Sequence, residues 1–243
     1  MINRDFPYPR RHLIRFLLRQ AANLAFAGLT RLHIVGREHL PDSGPLLVVA
    51  NHFHFADPAV VMRVLPWQIE FLGGFHMPNA PAVVTWLPKV WGYYPVHRGG
   101  VSRDAMRAGM AVLAQNGVLG IFPEAGSWAA VLRPARPGAA FLAVETGVPL
   151  LPIGITGMND IFPSLAKGRR ATVTVRIGPR FGPFHVSGKG PEKRQALESI
   201  GHEIMQHIAA LIPPRQHGCY STDPEIRAAA QAAAVYPWEE KGK

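Results

Sequence analysis

Apolar residues recur along this chain in two alternating rhythms. Short apolar or alternating runs at 32–35, 46–50, 69–72, 94–97, 118–122, 150–155 and 172–177 read as strands. Longer stretches with helical spacing at 12–30, 58–65, 80–90, 103–115, 138–146 and 192–211 read as helices between them. The helix from Arg103 is punctuated by Ser102 at its start and Asn116-Gly117 at its stop. The run Leu46 to Ala50 is apolar throughout, as in a strand covered on both faces. The alternation predicts an α/β fold, a layered sandwich with a mostly parallel or mixed sheet, preceded by an N-terminal amphipathic helix. Residues 1–30 form that helix, 31–212 the α/β domain and 213–243 a C-terminal tail. Residues 157–170 read as a loop, and Asp223-Pro224 opens a short Ala-rich helix to Val235.

Composition fits one larger domain: 243 residues, 48% of them hydrophobic, supply ample core. The single cysteine, Cys219, excludes an intrachain disulfide framework. A net charge of +10 points to anionic partners such as nucleic acid, lipid or phosphorylated molecules. The excess gathers at the N-terminus, where Arg11, Arg15 and Arg19 recur every fourth residue beside Leu13, Phe16, Leu17, Leu24 and Phe26. Such a basic amphipathic helix suits a membrane interface, and equally the surface of a core. The apolar stretch from Ala21 to Leu29 is shorter than the roughly 20 residues a membrane span needs. Arg15 and Arg19 also interrupt any signal-peptide core. These features predict a protein on the cytoplasmic side, soluble or peripheral at the membrane. No nucleic-acid-binding motif accompanies the charge.

Candidate chemistry sits after the second strand, in Asn51-His52-Phe53-His54-Phe55-Ala56-Asp57. Asp57-Pro58 reads as a helix start, with Asp at the N-cap and Pro at the first helical position. His52 and Asp57 thus flank a strand-to-helix turn at the sheet edge where ligands usually bind. Imidazole beside carboxylate can activate a hydroxyl nucleophile. Three other readings of this segment stay open. Asp57 can be a helix cap alone, His52 a polar strand-end residue, and His52, His54 and Asp57 can ligate a metal in a hydrolase. The metal lacks a further ligand cluster nearby, so no metal is expected.

Asn-His-x-x-x-x-Asp resembles the first signature block of the glycerolipid acyltransferases, the lysophosphatidic acid acyltransferase family. Three further stretches resemble the later blocks in order: 92–98, Gly to Arg; 122–127, Phe-Pro-Glu-Ala-Gly-Ser; and 148–153, an apolar run around Pro152. The resemblance covers roughly 31–178. It implies His52 as general base oriented by Asp57, and acyl transfer from a thioester, acyl-CoA or acyl-carrier protein, to a lysolipid hydroxyl. It further implies Arg98, Glu124, Gly126 and Ser127 as acceptor-binding residues and Pro152 as part of the acyl channel. A membrane surface would be a partner, nucleic acid would not, and no cofactor is needed beyond the co-substrate. The third block departs from the family pattern: Ala125 intervenes, and Trp128 stands near the expected Arg. That puts a phosphate-bearing acceptor in question, with Arg133 and Arg136 as possible substitutes.

Overall fold

The computed structural model describes residues 5–73, 80–96 and 102–235. Seven strands lie within them: β1 Thr30–Val35, β2 Leu46–Ala50, β3 Ile69–Gly73, β4 Tyr94–Pro95, β5 Val118–Ile121, β6 Leu150–Thr156 and β7 Ala171–Ile177. They form one sheet in the order β1-β7-β6-β2-β5-β3-β4. All neighbours are parallel except β6 and β7, so β1 and β7 run against the other five. The mixed sheet of the sequence reading is therefore observed. Its central strand β2 is buried at every position, as its unbroken apolar run requires.

The helices are α1 His12–Leu29, α2 Asp57–Val64, α3 Leu87–Trp91, α4 Arg103–Ala114, α5 Gly138–Thr146, α6 Ile161–Leu165, α7 Pro191–Ala209 and α8 Pro224–Ala234. They make two covering layers. Ala108, Val112, Leu142, Ile204 and Ile208, from α4, α5 and α7, pack on one face of the sheet. Phe26, Val60, Val61, Val64, Trp91 and Ile161, from α1, α2, α3 and α6, pack on the other. The parallel strands β2, β5 and β6 exit on the same side of the sheet, β6 running three residues past the end of β2.

Four expectations are corrected. The helix expected over 80–90 is a short 3-10 turn, Ala82–Val84, followed by the brief α3. Pro81 and Pro88 and the β-branched run Val83-Val84-Thr85 disfavour one continuous helix there. The loop expected over 157–170 contains a 3-10 turn and α6. The C-terminal tail is built in as far as Val235, because Leu132 and Ala135 bond to Gln216, Cys219 and Tyr220. Asp223 caps α8 as expected, accepting from the Glu225 amide at 2.8 Å.

The fourth correction concerns the arginine stripe of α1, which bonds to the protein instead of standing free on the surface: Arg15 is buried, Arg19 half-buried and Arg11 exposed. Arg15 is only 1% exposed and grips both oxygens of the fully buried Glu70 on β3, at 2.6 and 2.7 Å. Arg10 binds the same carboxylate at 2.9 Å and lies over the Tyr94 ring. Arg11 donates to the carbonyls of Lys89 and Val90, and Arg19 to those of Leu65 and Pro66. The outward face of α1 is apolar, with Leu13 70% and Leu24 76% exposed. Removing Arg15 leaves the buried Glu70 with the part-exposed Arg10 as its remaining partner, so Arg15→Ala is expected to lower stability by about 3 kcal/mol, the low end for a broken buried pair. Arg15→Met combined with Glu70→Leu should recover most of that loss. Chemical denaturation of the three proteins checks both.

Candidate active site

The edge where β2 ends is pinned by a side chain imitating a strand. Asn51 donates through Nδ2 to the Ile155 carbonyl (2.9 Å) and accepts the Ile155 amide (2.7 Å), carrying the β2–β6 pairing past Ala50. The chain then turns into α2, and Asp57 lies in its first turn. Asp57 is not the cap: Ala56 holds that position, and the carboxylate points backward. Its Oδ2 accepts from the Phe53 and His54 amides at 2.8 and 2.7 Å and meets His52 Nδ1 at 3.0 Å. With Nδ1 engaged on a carboxylate, Nε2 is the imidazole nitrogen left to exchange a proton with a reactant. The ring stacks on Phe122, centroids 4.3 Å apart, and keeps a partly open edge.

A second buried carboxylate holds the same turn from the β5 side. Glu124 Oε1 accepts the His52 backbone amide at 2.9 Å, and Oε2 accepts the Arg133 amide at 3.1 Å. The Arg133 guanidinium donates to the carbonyls of Glu124 and Gly126 and lies flat over the Trp128 ring, 3.5 Å from its centroid. Trp128 in turn donates to the Ala233 carbonyl of α8. Burial pushes the Glu124 carboxyl up to about 7, with Arg133 and the two amides opposing that rise. Gly126 is required by this packing, since a Cβ there would meet the Trp128 ring at 2.2 Å.

The other expected site residues scatter. His52, Asp57 and Glu124 come together, whereas Arg98 lies outside the described residues. Glu124, Gly126 and Ser127 are buried, and the Glu124 oxygens face the His52 turn. Arg133, weighed as a substitute phosphate ligand, is spent within the loop. Pro152 lies inside β6 opposite Val49, so it sits about 10 Å along the strand direction below His52. His54 Nδ1 accepts the Ala56 amide, and burial lowers the His54 pKa. Among the described residues, no group of three His, Cys, Asp or Glu is placed to hold a metal ion. Asp57 and Phe53 also line a cavity of about 360 Å³ with Thr156, Asn159 and Arg215, the last an exposed cation.

The Acyltransferase family model matches residues 31–156, just over half of the chain. The chain belongs to the Acyltransferase family. It is 28% identical over 166 residues to the chloroplastic 1-acyl-sn-glycerol-3-phosphate acyltransferase BAT2 of Brassica napus, a match covering 65% of this chain and 47% of that protein. It is 26% identical over 184 residues to the alpha 1-acyl-sn-glycerol-3-phosphate acyltransferase of Mus musculus, covering 72% and 62%. The chain thus spans about half to three-fifths of the length of these curated relatives. The crystal structure of the LPA acyltransferase PlsC from Thermotoga maritima shares the fold, with a TM-score of 0.55, 23% identity and coverage of 84% and 85%.

Against that family the third block shows its own physics. Ala125 has φ 59°, in the left-handed region that Gly adopts far more readily than Ala. Phe122 and Arg133 were not assigned these roles from sequence. An aromatic residue closing the strand before Pro123 was a visible signal for the first, but nothing local marked the second as inward-facing.

Two outcomes follow from this loop. Ala125→Gly is expected to stabilise the protein by about 1 kcal/mol, read from denaturant unfolding, because a left-handed Ala costs about that much. Glu124 carries a raised folded-state pKa, so between about 4.5 and about 7 the folded state holds its proton more tightly than the unfolded chain. The stability of the wild type minus that of Glu124→Gln should therefore fall as pH rises through that window and level off above it. Unfolding curves of both proteins from pH 4 to 8.5 measure this.

Proposed function

We propose that this chain transfers a fatty acyl group from a thioester donor, acyl-CoA or acyl-carrier protein, to a hydroxyl of a lysophospholipid-like acceptor. The observation that carries the reading is the His52 Nδ1–Asp57 Oδ2 contact of 3.0 Å, at the strand-exit edge of a member of the Acyltransferase family. His52 Nε2 takes the proton of the acceptor hydroxyl as that oxygen attacks the thioester carbonyl. The C–S bond then breaks, the proton passes from His52 to the leaving sulfur, and an ester and a free thiol remain. Asp57 fixes the ring and favours its charged form between those two transfers. The Gly126 and Ser127 amides are our candidates for steadying the oxyanion. Arg98 is the candidate for an acceptor phosphate, because a guanidinium offers a bidentate fork. Glu124 supports the reading as the group that holds the His52 amide, rather than as a ligand of acceptor hydroxyls.

The substrates of such a reaction live in membranes, and we assign the contact with the bilayer to the outward face of α1. Leu13, Phe16, Leu17 and Leu24 are exposed there, while Arg15 is buried on Glu70. Among the described residues, no helix is long and apolar enough to cross a membrane. The chemistry is tested by substitution. His52→Ala should keep the fold and lower acyl transfer at least about a hundredfold, as for a lost general base, with Asp57→Asn costing less. Turnover is followed by thiol release and by mass spectrometry of the acylated product. Near-normal turnover in folded His52→Ala would sink the assignment.

A further inference from the structure

A patch that is both apolar and basic lies on the connection from α6 to β7. Phe162 and Leu165 project from α6, 51% and 38% exposed. Lys167, Arg169 and Arg170 follow directly and are also exposed, and no acidic residue occurs from Ile161 to Ile177. Arg170 donates to the Ala27 carbonyl in the last turn of α1 (3.2 Å), so this loop and the end of α1 make one continuous surface. Topology then fixes where that surface is. Thr30 pairs with Ala171 at the starts of β1 and β7, and β7 runs antiparallel to β6. The starts of β1 and β7 therefore lie at the edge where β6 and β2 end, beside His52. Phe162 reaches that turn directly, its ring 6.1 Å from His54 and 6.5 Å from Phe55, centroid to centroid.

We propose that the segment from Phe162 to Arg170 is a second contact with an anionic bilayer, which together with the outward face of α1 seats the catalytic edge on the lipid surface; this rests on the lipid-directed reading above. Apolar side chains flanked by basic ones match a bilayer interface, where tails take the first and anionic headgroups the second. A second copy of the chain fits less well. A two-fold contact would bring Lys167 and Arg169 toward their own counterparts, with no acidic residue in the segment to pair with them.

The test is co-sedimentation with vesicles of equal phosphatidylcholine and phosphatidylglycerol, and with vesicles of phosphatidylcholine alone. Arg170 is left intact because it ties the loop to α1. Lys167→Gln with Arg169→Gln should bind the mixed vesicles about twenty-five-fold more weakly, about fivefold for each charge removed. It should match the wild type on phosphatidylcholine. Phe162→Ser with Leu165→Ser should lose about tenfold or more on both. The charge variant should keep wild-type turnover on a short-chain, water-soluble acceptor and lose turnover on an acceptor embedded in mixed vesicles. The contact is overturned if both variants bind as the wild type does, if the wild type binds neither vesicle, or if the substitutions instead change the sedimentation coefficient of the free protein. Absence of wild-type turnover on the soluble acceptor would overturn the acyl-transfer reading alone, since vesicle binding is read without it.

Discussion

The site depends on one carboxylate oxygen. Asp57 Oδ2 gathers the Phe53 and His54 amides and the His52 ring into a single knot. A carboxylate with 1% exposure needs N–H groups to replace its lost hydration, and three of them converge on Oδ2, while Oδ1 has no hydrogen-bond partner among the described residues. The same bonds set the curvature of the turn. They orient the imidazole by its Nδ1 and leave Nε2 outside that contact. This geometry requires β2 to stop at Ala50 and α2 to begin by Asp57. Asn51, bonded twice to Ile155, fixes the first condition, and Pro58 in the first turn of α2 favours the second.

Glu124 links that knot to the rest of the molecule. It accepts the His52 amide on one oxygen and the Arg133 amide on the other, so the third block braces the first. Glu124 and Asp57 are two buried acids close enough for Asp57 to help raise the Glu124 pKa. Arg133 offsets part of this charge and is thereby withdrawn from any ligand. The segment after α7 closes over the brace, through Gln216, Cys219 and Tyr220 on the Arg133 strand of chain and through Ala233 on Trp128. Trp128 and the ordered C-terminal segment are thus parts of one packing solution.

The strands were legible because burial on both faces leaves a distinctive apolar run, and the edge carrying the candidate site followed from strands alternating with helices. The His52–Asp57 spacing was legible too, but the direction of the carboxylate was not. An Asp at a helix start can serve the amides ahead of it or those behind it, and only the path of the 52–56 turn decides. The interior fate of Arg133 and the break near α3 depend on tertiary partners and competing propensities that no window of sequence contains. Glu70 is the instructive case. An acid inside Ile69-Glu70-Phe71-Leu72 demands a buried partner, yet the partner lies 55 residues earlier, on a helix whose periodicity fits either orientation.

That orientation has a consequence for the whole surface. A helix with an arginine stripe and an apolar stripe ordinarily buries the apolar one. Here the fully buried Glu70 reverses the preference, because an unpaired interior carboxylate costs more than leaving several leucines in water. Arg15 and Arg10 satisfy it, the carbonyls at the ends of α2 and α3 take Arg19 and Arg11, and Leu13, Phe16, Leu17 and Leu24 are left outward while Phe26 stays in the core. Exposed apolar area carries a standing cost of about 25 cal/mol per Å² until something covers it. The buried ion pair therefore does more than hold α1 in place. It converts an internal electrostatic requirement into an outward-facing apolar surface, and through Arg170 and Ala27 joins that face to the edge bearing His52.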